Sequence, residues 1–416
     1  MINEILYWGD LIVWGIVLIV LMIISYYSIF AFRRKNNNVA LSEDRINKFC
    51  ILIPARNESR VIANILESIK NQTFPQKFED VYVIVESAED PTCQIAGSYG
   101  AQLFIRTNLE NRHRKGYALD ECVQKILSDG KKYDAYFIFD ADNILDKDYL
   151  RQMNSTYNKG YDLACGYRRP TNPNESVVST CSALIFSLVN AFGNVERAKK
   201  NLNVTITGTG FYIRGSEIEK WGGYPFHSMT EDYELTMYAT IYKLSSTYNE
   251  RAIYLDEQPT KMKISNSQRI RWISGYVQVR KVYGNEIRKI NKKTKSIDRI
   301  VKSLGIWPFV LMIFLVISYL LFCTGVMIAS FYYQNNEWIN CLLRILLVIA
   351  AIYILLVILT ASLFITERGK TDYTFKSKIK ACLFNPIFLA SFVPLACKLI
   401  LKKNKIEWEE IKHNGK

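Results

Sequence analysis

Leu11 to Phe32 is a run of 22 residues without a charge. At about 1.5 Å of rise per helical residue, such a run crosses the roughly 30 Å hydrocarbon core of a bilayer. No small-residue cleavage site follows it, so it reads as an anchor and not as a removable signal. Glu4 and Asp10 precede the run, while Arg33, Arg34 and Lys35 follow it. The positive-inside rule then places the next segment in the cytoplasm. Two more apolar runs, Leu304 to Phe331 and Asn340 to Ile365, are long enough to span. The loop between them, Tyr332 to Ile339, has no basic residue and belongs outside. The next loop, Thr366 to Lys380, carries five Lys/Arg and belongs inside. Ala381 to Leu401 is also long enough, but it holds Pro386, Pro394 and Lys398. If it crosses, the Lys-rich tail lies outside against the charge rule; a re-entrant or interfacial segment avoids that.

The chain therefore divides into an anchor with a basic juxtamembrane segment (1–47), a soluble domain (48–260), a basic interfacial segment (261–303), a C-terminal membrane region (304–401) and a polar tail (402–416). The formal charge is +14, and Lys261 to Lys302 alone holds 13 Lys/Arg against Glu286 and Asp298. A basic block that runs straight into an apolar span points to an anionic membrane surface, not to nucleic acid. Nine cysteines form no CxxC pair and only three histidines are present, which excludes a zinc cluster or a disulfide framework.

The soluble part alternates strand and helix. Phe49–Ile53, Val81–Val85, Gln102–Ile105 and Ala135–Phe139 read as continuous apolar strands. Glu58–Gln72, Gln94–Tyr99 and Lys115–Leu127 read as the helices between them. That pattern predicts a parallel sheet covered by helices, with ligands beyond the carboxyl ends of the strands, where Glu86 and Asp140 lie. Ser182 to Phe192 is apolar but too short to span; it fits a buried helix or one lying on the membrane surface.

Three clusters carry chemistry. Asp140-Ala141-Asp142 puts two carboxylates on one side of an extended chain, where a divalent cation relieves their repulsion and can bridge a diphosphate. Thr230-Glu231-Asp232 offers a carboxylate as general base toward a hydroxyl, and equally the cap and first turn of a helix. Gln268-Arg269-Ile270-Arg271-Trp272 offers an Arg to clamp a diphosphate and a Trp face for a sugar ring, or a basic amphipathic helix on the membrane. Gly208-Thr209-Gly210 is no dinucleotide loop, since Ile213 stands where a third glycine belongs, and no GxxxxGK[ST] loop occurs.

The order of these motifs, with Pro54-Ala55-Arg56-Asn57-Glu58, Glu86 and Lys115-Gly116-Tyr117-Ala118-Leu119 ahead of them, resembles family 2 glycosyltransferases. Within that family it looks like the membrane branch of cellulose, chitin, hyaluronan and nodulation chitooligosaccharide synthases. The resemblance covers residues 48 to 280. It implies a GT-A fold, a UDP-sugar donor and Mg2+ or Mn2+, in a multi-pass protein of the cell membrane with its catalytic domain in the cytoplasm. It further implies that Pro54, Ala55, Arg56, Glu58 and Glu86 line the nucleoside site and that Lys115 lies near the uracil or diphosphate. Asp140 would contact the donor and, with Asp142, the metal. Gly208, Thr209 and Gly210 would let backbone approach the acceptor. Asp232, beside Glu231, would be the base; Gln268 and Arg271 would hold the diphosphate, and Trp272 would stack on the acceptor sugar. Glu86 departs from the pattern, which has Asp there.

The activity expected is inverting transfer to a growing β-linked polysaccharide, processive and coupled to export. The alternative is transfer of one sugar to a membrane lipid, a resemblance shared with ceramide glucosyltransferases through the Gln-x-x-Arg-Trp motif. With so few spans, a polymer channel would be minimal or shared within a homo-oligomer, or no polymer is exported. An inactive nucleotide-sugar-binding scaffold is a third reading, opposed by the intact Asp140, Asp142, Asp232 and Trp272.

Overall fold

In the computed structural model, residues 2–32, 45–108, 114–293, 296–304, 307–334 and 337–401 are described. Arg33 to Lys35 and the tail from 402 lie outside them. The chain opens with helix α1 (Ile2–Phe32), whose Leu11, Leu18, Ile19 and Met22 are bare. Apolar side chains on the outside of a helix this long belong in lipid.

The sheet domain follows as β1 (Phe49–Pro54), α2 (Ile62–Lys70), β2 (Val81–Val85), α3 (Thr92–Ser98), β3 (Gln102–Ile105), α4 (Lys115–Ser128) and β4 (Ala135–Ile138). β1 and β2 are buried almost end to end and β4 throughout, as their unbroken apolar sequence requires. Helix α2 starts later than the apolar spacing predicts. Asn57 takes a left-handed φ of 56°, and the Asn57 and Glu58 amides donate to Asp90 and Thr92 of the neighbouring loop. That ties residues 57–61 into a turn above the sheet.

The second half comprises β5 (Ile144–Leu145), α5 (Tyr149–Asn158), β6 (Leu163–Pro170), α6 (Val177–Val189), α7 (Val195–Lys199), β7 (Phe211–Arg214), α8 (Gly215–Trp221), α9 (Glu231–Tyr242) and β8 (Ser246–Asp256). The eight strands make one sheet in the order β3-β2-β1-β4-β7-β6-β8-β5. β1 pairs parallel with β2 and β4, β2 with β3, and β6 with β8; β7 is antiparallel to both β4 and β6. This is the mostly parallel GT-A-like arrangement the sequence predicts, with direction reversing at the β4–β7 seam. Two apolar layers, one centred on Ile53, Val83 and Phe137 and the other on Leu52, Leu119 and Phe211, cover its faces.

The chain then runs through α10 (Met262–Lys293), α11 (Ile297–Leu304), α12 (Trp307–Tyr332), α13 (Glu337–Thr366), α14 (Phe375–Ala390) and α15 (Phe392–Leu401). Helices 4–26, 310–332, 337–366 and the stretch 375–399 are long and apolar enough to cross a membrane. α1, α12 and α13 meet through Leu6, Val13, Tyr319, Cys323, Cys341 and Val348. Asp10, Arg344 and Tyr319 join the same three helices.

The stretch after residue 375 is not one straight rod. It breaks at Ser391, and α14 lies against α6 through Cys181, Leu184, Ala381 and Phe388. The short apolar stretch around Ser182 is thus part of α6, buried between the sheet domain and α14.

Candidate active site

The β4–β7 reversal builds the centre of the site. Asp140 follows β4, and the Gly208–Gly210 turn leads into β7 beside it. The Gly210 amide donates to Ile138 O at 2.9 Å, and the Asp140 amide donates to Thr209 Oγ1 at 2.8 Å. Gly210 has φ +64, and a Cβ there would lie 2.2 Å from the Tyr254 ring, so only glycine fits. Thr209 and Gly210 stand behind the wall of the site; Gly208 lines it.

A cavity of about 770 Å3 collects the remaining expected residues. Pro54, Ala55, Arg56, Glu58 and Glu86 line it from β1 and β2, Lys115 from α4, Asp140 and Asp142 from the end of β4, Glu231 and Asp232 from the start of α9, and Gln268, Arg271 and Trp272 from α10. Glu86 is held by Arg56 Nε at 3.1 Å and lies 3.9 Å from the buried Arg106. Arg106 also binds Glu121 at 3.1 Å. This end of the cavity is therefore a braced charge network.

Lys115 stands between the two acidic clusters. Its Nζ donates to Asp140 at 2.5 Å and to Gly208 O at 2.8 Å, and lies 3.9 Å from Glu231. Burial opposes its charge, but Asp140 and Glu231 outweigh burial and hold the ammonium above its ordinary range. Burial pushes the Glu231 carboxyl up to about 7, against the pull of Lys115. Asp232 is also raised by burial, opposed by the amides of Tyr233 and Gly208 and by Lys115. A carboxylate raised in this way and partly open to the cavity is suited to take a proton near neutral pH.

Three carboxylates, those of Asp140, Asp142 and Asp256, place oxygens within 4.8 Å of one another. Hard oxygen donors suit Mg2+ or Mn2+. Asp256 was not among the residues singled out in the sequence. It ends β8 as Asp140 ends the neighbourhood of β4, so an apolar strand closing on an acid was the available signal. Asn143 and Arg168 were also missed. Asn143 donates to Asp256 at 3.0 Å and accepts from Thr209, and Arg168 pairs with Asp256 at 2.5 Å. These tie the acids to the Gly208–Gly210 turn. Trp272 meets Phe186 of α6 edge-on at 5.7 Å, and the Arg168 guanidinium lies 3.8 Å over that Phe186 ring.

The profile of the family described as "Glycosyltransferase like family 2" matches residues 47–275. The chain belongs to this family. It is a glycosyltransferase that uses a nucleotide-sugar donor. The match spans the sheet domain and the pocket-lining start of α10. A probable glycosyltransferase of Bacillus subtilis, YdaM, is 24% identical over 334 residues, 78% of this chain and 77% of that protein. A beta-monoglucosyldiacylglycerol synthase of Trichormus variabilis is 24% identical over 191 residues, 45% of this chain and 40% of the relative. Among solved structures, mannosyltransferase PcManGT from Pyrobaculum calidifontis, in complex with GDP-Man and Mn2+, matches at 14% identity with a TM-score of 0.53. The match covers 97% of this chain and 100% of that one, and it is a likeness of fold.

Proposed function

We propose that this glycosyltransferase moves one sugar from a UDP-sugar, with inversion, to the hydroxyl of a membrane lipid. Its catalytic domain faces the cytoplasm at the cell membrane. The observation that carries the acceptor assignment is the double role of α10. Ile264, Gln268, Arg271 and Trp272 line the cavity, while Met262 and Arg269 of the same turns pack against α14 and the break before α15. An acceptor could keep its apolar part at this seam and present its hydroxyl to Asp232. The lipid-glycosylating relative supports the same reading. So does the filled core between α1, α12 and α13.

The geometry supports the following roles. Arg56, Glu86 and Arg106 form the frame for the nucleoside. Arg271 and Lys115 face the diphosphate. Asp140, Asp142 and Asp256 would hold a divalent cation, which supplies charge neutralisation at the departing diphosphate. Asp232 takes the proton of the acceptor hydroxyl as its oxygen attacks the anomeric carbon from the face opposite UDP, and Trp272 carries the acceptor ring or headgroup. Processive polysaccharide synthesis is the second reading, favoured by the joint Thr-Glu-Asp and Gln-x-x-Arg-Trp motifs.

The test is UDP release by the purified protein across a panel of UDP-sugars with Mn2+, with and without diacylglycerol or ceramide, with each product sized. Release that needs lipid, gives a one-sugar product and stops on chelation supports the proposal. A long product without lipid would replace it with polymer synthesis.

A further inference from the structure

Arg269 is the largest fully buried side chain among the described residues, at 1% exposure, yet it lies inside the motif that lines the cavity. Its neighbours Gln268, Arg271 and Trp272 fall on one stripe of α10, with Ile264. Met262, Ser265 and Arg269 fall on the other, at the spacing of a second helical face. Among the described residues Arg269 meets no carboxylate there. Its guanidinium donates to Phe388 O and Ser391 Oγ, each at 2.9 Å, and to Asn266 Oδ1. It also lies between the rings of Phe388 and Phe392, 4.3 and 4.7 Å from their centroids.

A buried charge without a counter-ion is costly unless its donors are matched. The match here is a helix end. Phe388 is in the last turn of α14, where carbonyls lose their intrahelical partners, and Ser391 is its C-cap. The helix dipole puts partial negative charge at that end, and two aromatic faces add to it. Pro394, which has no N–H for the Ala390 carbonyl and crowds it, accounts for the break near Ser391, and the Phe388 carbonyl beside that break is the one Arg269 takes up.

We infer that Arg269 is a positioning residue, which pins the pocket-lining turns of α10 to the broken membrane-side segment, so that the seating of α14 and α15 sets where Trp272 meets the acceptor and where Gln268 and Arg271 meet the diphosphate. The acceptor part of this inference rests on the lipid reading above; the pin itself does not. The experiment compares Arg269→Met and Arg269→Lys with the wild-type full chain in nanodiscs. Three quantities are read: kinetics with UDP-sugar and lipid acceptor, UDP affinity by calorimetry, and amide hydrogen exchange.

Arg269→Met should lower kcat/KM for the acceptor roughly 10- to 100-fold, as small displacements of a positioned group do. UDP affinity should fall less, since of the diphosphate-facing groups only those on α10 move while Lys115 on α4 stays in place, and Arg269→Lys should recover part of both losses. Exchange should rise in residues 262–275 and 385–392 and stay unchanged in α4. Exchange unchanged in those two segments, or raised across the whole sheet domain with UDP affinity lost, would overturn the pin. If wild type transfers nothing to lipid, the lipid reading fails, while the exchange and UDP arms still decide the pin.

Discussion

The half of the domain proposed to hold the donor is stitched together by contacts close in sequence, and the half proposed to hold the acceptor by contacts that span the chain. In the donor half, β1, β2 and β3 pair in order, and Glu86 is braced by Arg56 and Arg106. In the acceptor half, Tyr167 of β6 donates to Glu367 beyond α13, and Arg269 of α10 reaches Phe388 of α14. The proposed donor frame is thus set within the sheet domain, whereas the proposed acceptor wall is set by the membrane-side helices packed on it. The difference suggests that donor binding and acceptor binding respond to different perturbations.

The sharpest way to break that comparison is Asp232→Asn. It removes the base and keeps the shape, so kcat should fall at least about 1,000-fold. UDP affinity, a donor-half property, should stay near wild type. A variant of full activity would end the base assignment, and one that loses UDP binding would end the separation of the halves.

A smaller effect is expected from pH. Glu231 is raised to about 7, chiefly by burial, and Asp232 beside it is also raised. Below about 7 Glu231 keeps its proton. Above it, the carboxylate pairs more fully with Lys115 and strengthens Asp232 as a base, so the rate should rise through an inflection near 7. Glu231→Gln should lack that inflection and keep only the rise at lower pH, where Asp232 loses its proton. The same inflection in the variant would assign it to another group.

The mildest is Glu86→Gln. It weakens the anchoring of Arg56 and Arg106 by about one charge-assisted hydrogen bond, which corresponds to a rise in donor KM of roughly 5- to 20-fold. Acceptor KM should not change. A matching change in acceptor KM would mean that the two halves are coupled through the sheet.

The same division runs through what could be read in advance. β2 appears at the boundaries its apolar run predicts, because a strand buried on both faces has to be apolar along its length; β3 keeps its predicted boundaries as a largely exposed edge strand. Asp140, Asp142, Glu231 and Asp232 stood out because strand ends and helix starts are where carboxylates can face a ligand. Asp256 also closes a strand and could have been noticed, but its partnership with Arg168 joins β6 to β8, which no local spacing marks. Arg269 was read only as part of a basic stretch, because whether an arginine faces water, substrate or a helix end depends on what packs against it.

By itself, the sequence determined that this chain has apolar helices around an alternating strand–helix domain, and that the domain carries the motif order of a sugar-transferring family. Period and hydrophobicity are local properties, and for the long uninterrupted runs the solvent they demand is plain. Tertiary structure alone decided that Asp256 joins the acid cluster, that Thr209 and Gly210 sit behind the wall, and that the break at Ser391 in the last apolar stretch holds Arg269. Each of these depends on two segments distant in sequence meeting at hydrogen-bonding range, and only the packed sheet and the helices against it bring them there.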